Sequence, residues 1–124
     1  MKVTYYGHSC FSVELNRKHL LFDPYITPNP LAKAIKIKDI RSDYIFISHG
    51  HDDHLADAAK IAKKTQASVI ANFEVAEWLN KKNVPNVISV NPGGCVDCSN
   101  AGVIQSQAPN GAMRDLEFGV RFEF

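Results

Sequence analysis

Apolar and polar positions alternate early in the chain. In "CFSVEL", Phe11, Val13 and Leu15 are separated by polar neighbours, the period-two signature of a half-buried strand. With "KVTYY" before it and "HLLFD" after the turn-like "NRK", the pattern predicts three strands in an antiparallel meander. The prolines and asparagine of residues 24–30 then break regular structure. The segment "LAKAIKIKDI" that follows reads either as a short helix or as an irregular excursion over the sheet.

The pattern changes at "DYIFIS", a continuous apolar run rich in aromatic and β-branched residues, which predicts a strand buried on both faces and leading directly into His49. Leu55, Ala58, Ala59 and Ala62 then fall at i, i+3, i+4 and i+7, the spacing of a helix with one buried face. The "HGHDDH" loop therefore joins the C-terminal end of a strand to a helix N-terminus. Next come "ASVIA" as a strand, "NFEVAEWLNKK" as a helix with Asn72 at its N-cap, and "NVISV" as a strand. Such alternation predicts an α/β protein with adjacent parallel strands. "NPGG" is a turn signal, and "GVIQSQ" and "EFGVRFEF" read as further strands. With no internal repeat or linker, the expectation is a single domain over residues 1–124.

Composition narrows the classes of function. Hydrophobic residues at 45% and charged residues at 22% suit a globular fold rather than a disordered chain. A net charge of +1 supplies no general attraction to a polyanion, so no nucleic-acid partner is expected. No apolar run approaches bilayer length and the start lacks a signal-like apolar segment, so no membrane partner and a cytoplasmic location are expected. Cys10, Cys95 and Cys98 are an odd count without a disulfide framework, as where thiols stay reduced. "CVDC" has CxxC spacing but no second ligand pair, and reads as free, partly buried thiols.

The chemistry concentrates in "SHGHDDH", residues 48–54, which holds three of the five histidines together with Asp52 and Asp53. Imidazole nitrogens and carboxylate oxygens are suitable ligands for zinc and similar divalent ions. Alternate residues of an extended loop, His49 and His51, can converge on one ion, while Asp53 and His54 at the turn into the helix address a neighbouring position. The bland alternative is a solvated turn with Asp52 or Asp53 capping the helix, but three histidines exceed what capping needs.

The stretch "HGHDDH" resembles the HxHxDH signature of the metallo-β-lactamase superfamily, which also follows a buried strand. "YYGHSCF", "LLFDPYI" and "HLADAAKIAKKTQASVIANFEVAEWL" resemble its branch of small metal-dependent hydrolases, which includes the ascorbate-phosphate lactonase-like proteins; the resemblance covers approximately Met1 to Val96. It implies an αβ/βα sandwich, of which this chain is expected to form the N-terminal half, with an altered or truncated C-terminus. It further implies that His49 and His51 bind one metal and Asp53 and His54 a second, and that a metal-activated water attacks an ester, lactone, amide or phosphoester of a small-molecule substrate. Asp53 would also handle a proton during turnover. Zinc is the expected ion, and manganese and iron suit the same donors.

Other residues carry two readings each. His8 in "GHS" lines the metal cleft, as the resemblance suggests, or is a packed histidine at a strand end. Asp23 in "FDP" resembles the superfamily's early aspartate that orients a metal-bound histidine, or simply initiates an Asp-Pro turn. Lys33, Lys36 and Lys38 attract an anionic substrate or form a solvated face. Trp78 is explained by packing, and His19 between strands is expected to be exposed.

The family pattern also asks for ligands beyond the helix: a further histidine, a bridging aspartate and a late histidine. No histidine follows His54, and neither Asp97 nor Asp115 sits in a matching context. A weakened metal site is therefore expected, together with uncovered apolar sheet surface that favours a homo-oligomer. The alternative function is a catalytically incomplete metal-binding or protein-interaction module.

Overall fold

The computed structural model describes residues 1–98. Six strands form one mixed sheet, ordered along it as in the chain. β1 (Lys2–Gly7), β2 (Cys10–Leu15) and β3 (Lys18–Phe22) make the antiparallel meander. The β2–β3 turn places Asn16 and Arg17 in the left-handed region at φ 49° and 64°, the backbone hand a two-residue hairpin needs to match strand twist. β4 (Tyr44–Phe46), β5 (Ser68–Ala71) and β6 (Val87–Ser89) continue the sheet in parallel, with β4 paired to β3.

The apolar run at β4 is explained by burial on both sides. In the register Leu21↔Ile45↔Val69, all three side chains are 0% exposed and belong to the main core cluster. On the other face Phe11, Phe22 and Phe46 stack across three strands, with centroids 4.5 and 4.9 Å apart and nearly parallel rings. On that face Leu20, Tyr44, Phe46, Ile70 and Ile88 are buried, Phe11, Val13 and Phe22 are half-buried, and Val3 and Tyr5 on β1 are 57% and 68% exposed.

The helices are α1 (Asp52–Leu55), α2 (Ala58–Thr65) and α3 (Phe73–Lys81). Leu55, Ala58 and Ala62 are buried as the spacing predicts, whereas Ala59 is half-buried and Ile61 is the further buried position; the expected single helix is broken between α1 and α2. The cause is Asp57. Its N–H donates to the Pro24 carbonyl at 3.0 Å, and its buried Oδ2 accepts from the N–H groups of Ile26 and Thr27 at 2.8 and 2.7 Å. The helix ladder gives way to bonds with a loop about 30 residues upstream in sequence. Asn72 caps α3 as its sequence predicts, its Oδ1 accepting from the Val75 N–H at 3.0 Å.

The connection between β3 and β4 is the irregular excursion rather than a helix, with only two 3₁₀ turns, Pro30–Ala32 and Ile37–Asp39. The Lys64 ammonium donates to the carbonyls of Ile37, Lys38 and Ile40, the first of which also accepts from the Ile40 N–H of the turn. Lys33, Lys36 and Lys38 are exposed and, with Lys60, rim a groove of about 590 Å³ floored by Ile26 and Ile35. His19 is half-buried rather than exposed, because its N–H donates to Asp43 Oδ2 at 2.7 Å and its carbonyl accepts from the Asp43 N–H at 2.8 Å. Trp78 is 37% exposed, with the Lys82 ammonium 4.4 Å from the ring centroid.

Met1–Ser89 form one compact unit. Within residues 90–98 the "NPGG" turn closes through the Gly94 N–H and the Asn91 carbonyl at 2.9 Å. "GVIQSQ", "EFGVRFEF" and Asp115 lie outside the described residues. Among the described residues no helix is long and apolar enough to cross a membrane.

Truncating Ile45 to alanine removes the centre of the fully buried row. The expected loss is about 3 kcal/mol of unfolding free energy in urea titration. Cys10 is 0% exposed and burial pushes its thiol up to about 11, whereas Cys95 is exposed and Cys98 buried. Ellman's reagent at pH 8 is expected to label one thiol rapidly in the native chain and all three in denaturant.

Candidate metal centre

The site lies where β3 and β4 end. Parallel strands deliver their following loops to the same edge of the sheet, so the segments after Phe22 and Phe46 emerge side by side. Asp23 leaves β3 with φ 43°, its N–H donating to the Phe46 carbonyl at 2.9 Å, which ties the two strand ends together. Its carboxylate is buried and accepts three hydrogen bonds: from the Ser48 N–H at 2.7 Å, the Ser48 hydroxyl at 2.8 Å and His54 Nδ1 at 2.9 Å.

These contacts set the directions of the imidazoles. A carboxylate only accepts, so His54 carries its proton on Nδ1 and presents a bare Nε2. Ser48 gives its one hydroxyl proton to Asp23, so toward His49 Nδ1, at 2.9 Å, it accepts. His49 is thereby protonated on Nδ1, and its Nε2 meets His51 Nδ1 at 2.9 Å. Two ligands on one tetrahedral zinc lie about 3.3 Å apart, given Zn–N near 2.0–2.1 Å. An opening of a few tenths of an ångström would seat an ion between these nitrogens.

Beside them, Asp53 and His54 occupy the single turn of α1. His54 Nε2 lies 3.8 Å from Asp53 Oδ1, and the His54 and His49 rings are 4.0 Å apart. His8 reaches the same place from the β1–β2 turn, its Nε2 3.0 Å from Asp53 Oδ2 and its ring edge-on to His54 at 5.1 Å. Donor atoms of His8, Asp53 and His54 all lie within 4.8 Å of one another. The structure thus brings His8, Asp23, His49, His51, Asp53 and His54 into one cluster of imidazole and carboxylate donors, a set whose chemistry suits a divalent cation. Asp97 belongs to residues 90–98 and is exposed.

Sequence reasoning missed Ser48, Tyr25 and Asp57. Ser48 stands immediately before His49, and a hydroxyl between a buried strand and a candidate ligand histidine was the available signal. Tyr25 packs edge-on against His8 at 5.7 Å, and Asp57 holds the loop that carries it; neither has a local sequence signature.

Replacing Asp23 by alanine leaves the Ser48 N–H and hydroxyl and His54 Nδ1 without their acceptor. A loss of about 2–4 kcal/mol in urea unfolding is expected, together with altered imidazole resonances of His49 and His54 in the folded protein.

The sequence profile of the beta-lactamase superfamily domain matches residues 2–117. A protein named UPF0173 metal-dependent hydrolase from Methylacidiphilum infernorum is 50% identical over 94 residues, spanning 76% of this chain and 42% of that protein. Its namesake from Thermoplasma acidophilum is 43% identical over 97 residues, covering 78% of this chain and 42% of the relative. The chain therefore spans less than half the length of these curated relatives. Among solved structures, Igni18, described as a novel metallo hydrolase from the hyperthermophilic archaeon Ignicoccus hospitalis, superposes with a TM-score of 0.65 at 27% identity, covering 84% of this chain and 52% of that one. With the six-stranded mixed sheet, its helices and the histidine-rich loop after β4, these likenesses place the chain in the beta-lactamase superfamily.

Proposed function

We propose that the chain is a metal-dependent hydrolase of small molecules, with His49 and His51 holding one divalent ion and Asp53 and His54 a second. The observation that supports this most is the convergence of His49 Nε2 and His51 Nδ1, 2.9 Å apart, next to the Asp53 and His54 pair. Zinc is the first choice, with manganese or iron fitting the same donors. When bound, such an ion supplies Lewis acidity and brings the pKa of water toward neutrality, which suits attack on an ester, lactone, amide or phosphoester.

The chain's own residues do the rest. Asp23 and Ser48 fix the tautomers of His49 and His54, so that the bare nitrogens face the cluster before any ligand arrives. Asp53, with its side chain 46% exposed, would take a proton from water and return it to the leaving group. The cysteine thiols suit a reducing, cytoplasmic setting. Self-association through the β1 edge is supported by the exposure of Val3 and Tyr5 there.

The test is hydrolysis of p-nitrophenyl acetate, bis(p-nitrophenyl) phosphate and a simple lactone with added zinc or manganese, against His51→Ala. A fall in kcat/KM of at least about 100-fold in that variant, near 2.7 kcal/mol of barrier, is expected. Metal-loaded wild type that turns over none of these classes favours the interaction-module reading instead.

A further inference from the structure

The expected ligand set gives the second ion only Asp53 and His54 from this chain. We propose that His8 is a third ligand to that ion, so that Nε2 of His8, the Asp53 carboxylate and Nε2 of His54 form one three-donor site. The inference rests on the metal-centre reading above and extends it to a residue outside the histidine-rich loop.

Three observations carry it. The first is separation: His8 Nε2 to Asp53 Oδ2 is 3.0 Å and His54 Nε2 to Asp53 Oδ1 is 3.8 Å. These bracket the distance of about 3.3 Å between neighbouring ligand atoms on a tetrahedral zinc.

The second is how the ring is held. His8 sits in the two-residue turn between Gly7 and Cys10 with φ 54°, a left-handed conformation costly for a residue with a side chain. The pairing register shifts between Tyr5 and Gly7, and the Tyr5 hydroxyl donates to the His8 carbonyl at 2.9 Å. Gly7 at φ 110° permits the approach, since a Cβ there would come within 2.9 Å of Asn29 Nδ2. A local irregularity in the strand, a glycine and a tyrosine hydroxyl together aim this one imidazole.

The third is that packing does not account for it. The His8 side chain is 42% exposed and touches Tyr25 and His54 only edge-on. An exposed His–Asp pair contributes little by itself, so it does not offset the cost of the backbone conformation. Coordination would. Two imidazoles and one carboxylate on one face of an ion also leave positions open for water and substrate.

The experiment uses the whole chain stripped of metal and titrated with Co2+, read by d–d absorption, and with Zn2+ in competition with a chromophoric chelator. His8→Ala and His8→Gln are compared with wild type, with His19→Ala as a histidine control and far-UV circular dichroism to establish folding. Expected is a loss of more than about 100-fold in affinity for one metal equivalent in both His8 variants, beyond the 10–100-fold of a residue that merely orients a ligand. The other equivalent and the His19→Ala protein should be unchanged. Wild type loaded with 113Cd2+ provides a readout that needs no variant: scalar coupling between cadmium and His8 Nε2 is expected. Coupling to His54 without coupling to His8, or unchanged affinity in a folded His8→Ala protein, overturns the proposal alone. Wild type that binds neither cobalt, zinc nor cadmium overturns it together with the metal-centre reading.

Discussion

The architecture of the site depends on one buried carboxylate. Asp23 closes the end of β3 onto β4 through its N–H and gathers the Ser48 amide, the Ser48 hydroxyl and His54 through its side chain. Burying a charge is tolerable only when hydrogen bonds replace its hydration, and Asp23 has three. Each of those three also fixes something the site needs: the course of the chain after β4, the proton position on His49, and the ring of His54. Fold stability and ligand geometry are therefore set by the same contacts.

The mixed character of the sheet follows the same logic. Parallel pairing of β3, β4 and β5 collects loop-borne donors at one edge, and the antiparallel hairpin brings the β1–β2 turn back to that edge. A purely parallel sheet would need a long crossover to place His8 beside Asp53. Here a two-residue turn does it.

Much of this was readable in the sequence where the determinants are local. Alternation gave β2, the apolar run gave β4, and Asn72 gave the start of α3, because each depends on side chains within a few positions of one another. The grouping of His49, His51, Asp53 and His54 was readable for the same reason. The break between α1 and α2 was not, because Asp57 is diverted by the Pro24 carbonyl and the amides of Ile26 and Thr27. For His8 the ambiguity was physical: its direction depends on a shift in strand register and on Asn29 standing behind Gly7. Neither is encoded near the "GHS" tripeptide. Nor does the spacing of Lys64 announce that its ammonium serves three carbonyls of the excursion.

Asp57 and Lys64 stand at the two ends of α2 and grip the excursion between β3 and β4, one at Ile26 and Thr27, the other at Ile37 through Ile40. A connection of that length would ordinarily fluctuate independently of its flanking elements. Tethered at both places, it is held against α2 from its two ends. The amides of Ile26 and Thr27, though they lie in a loop, donate to a carboxylate buried at 4% exposure, so the loop that carries Tyr25 to the histidine cluster is anchored by the core rather than by a ladder of its own.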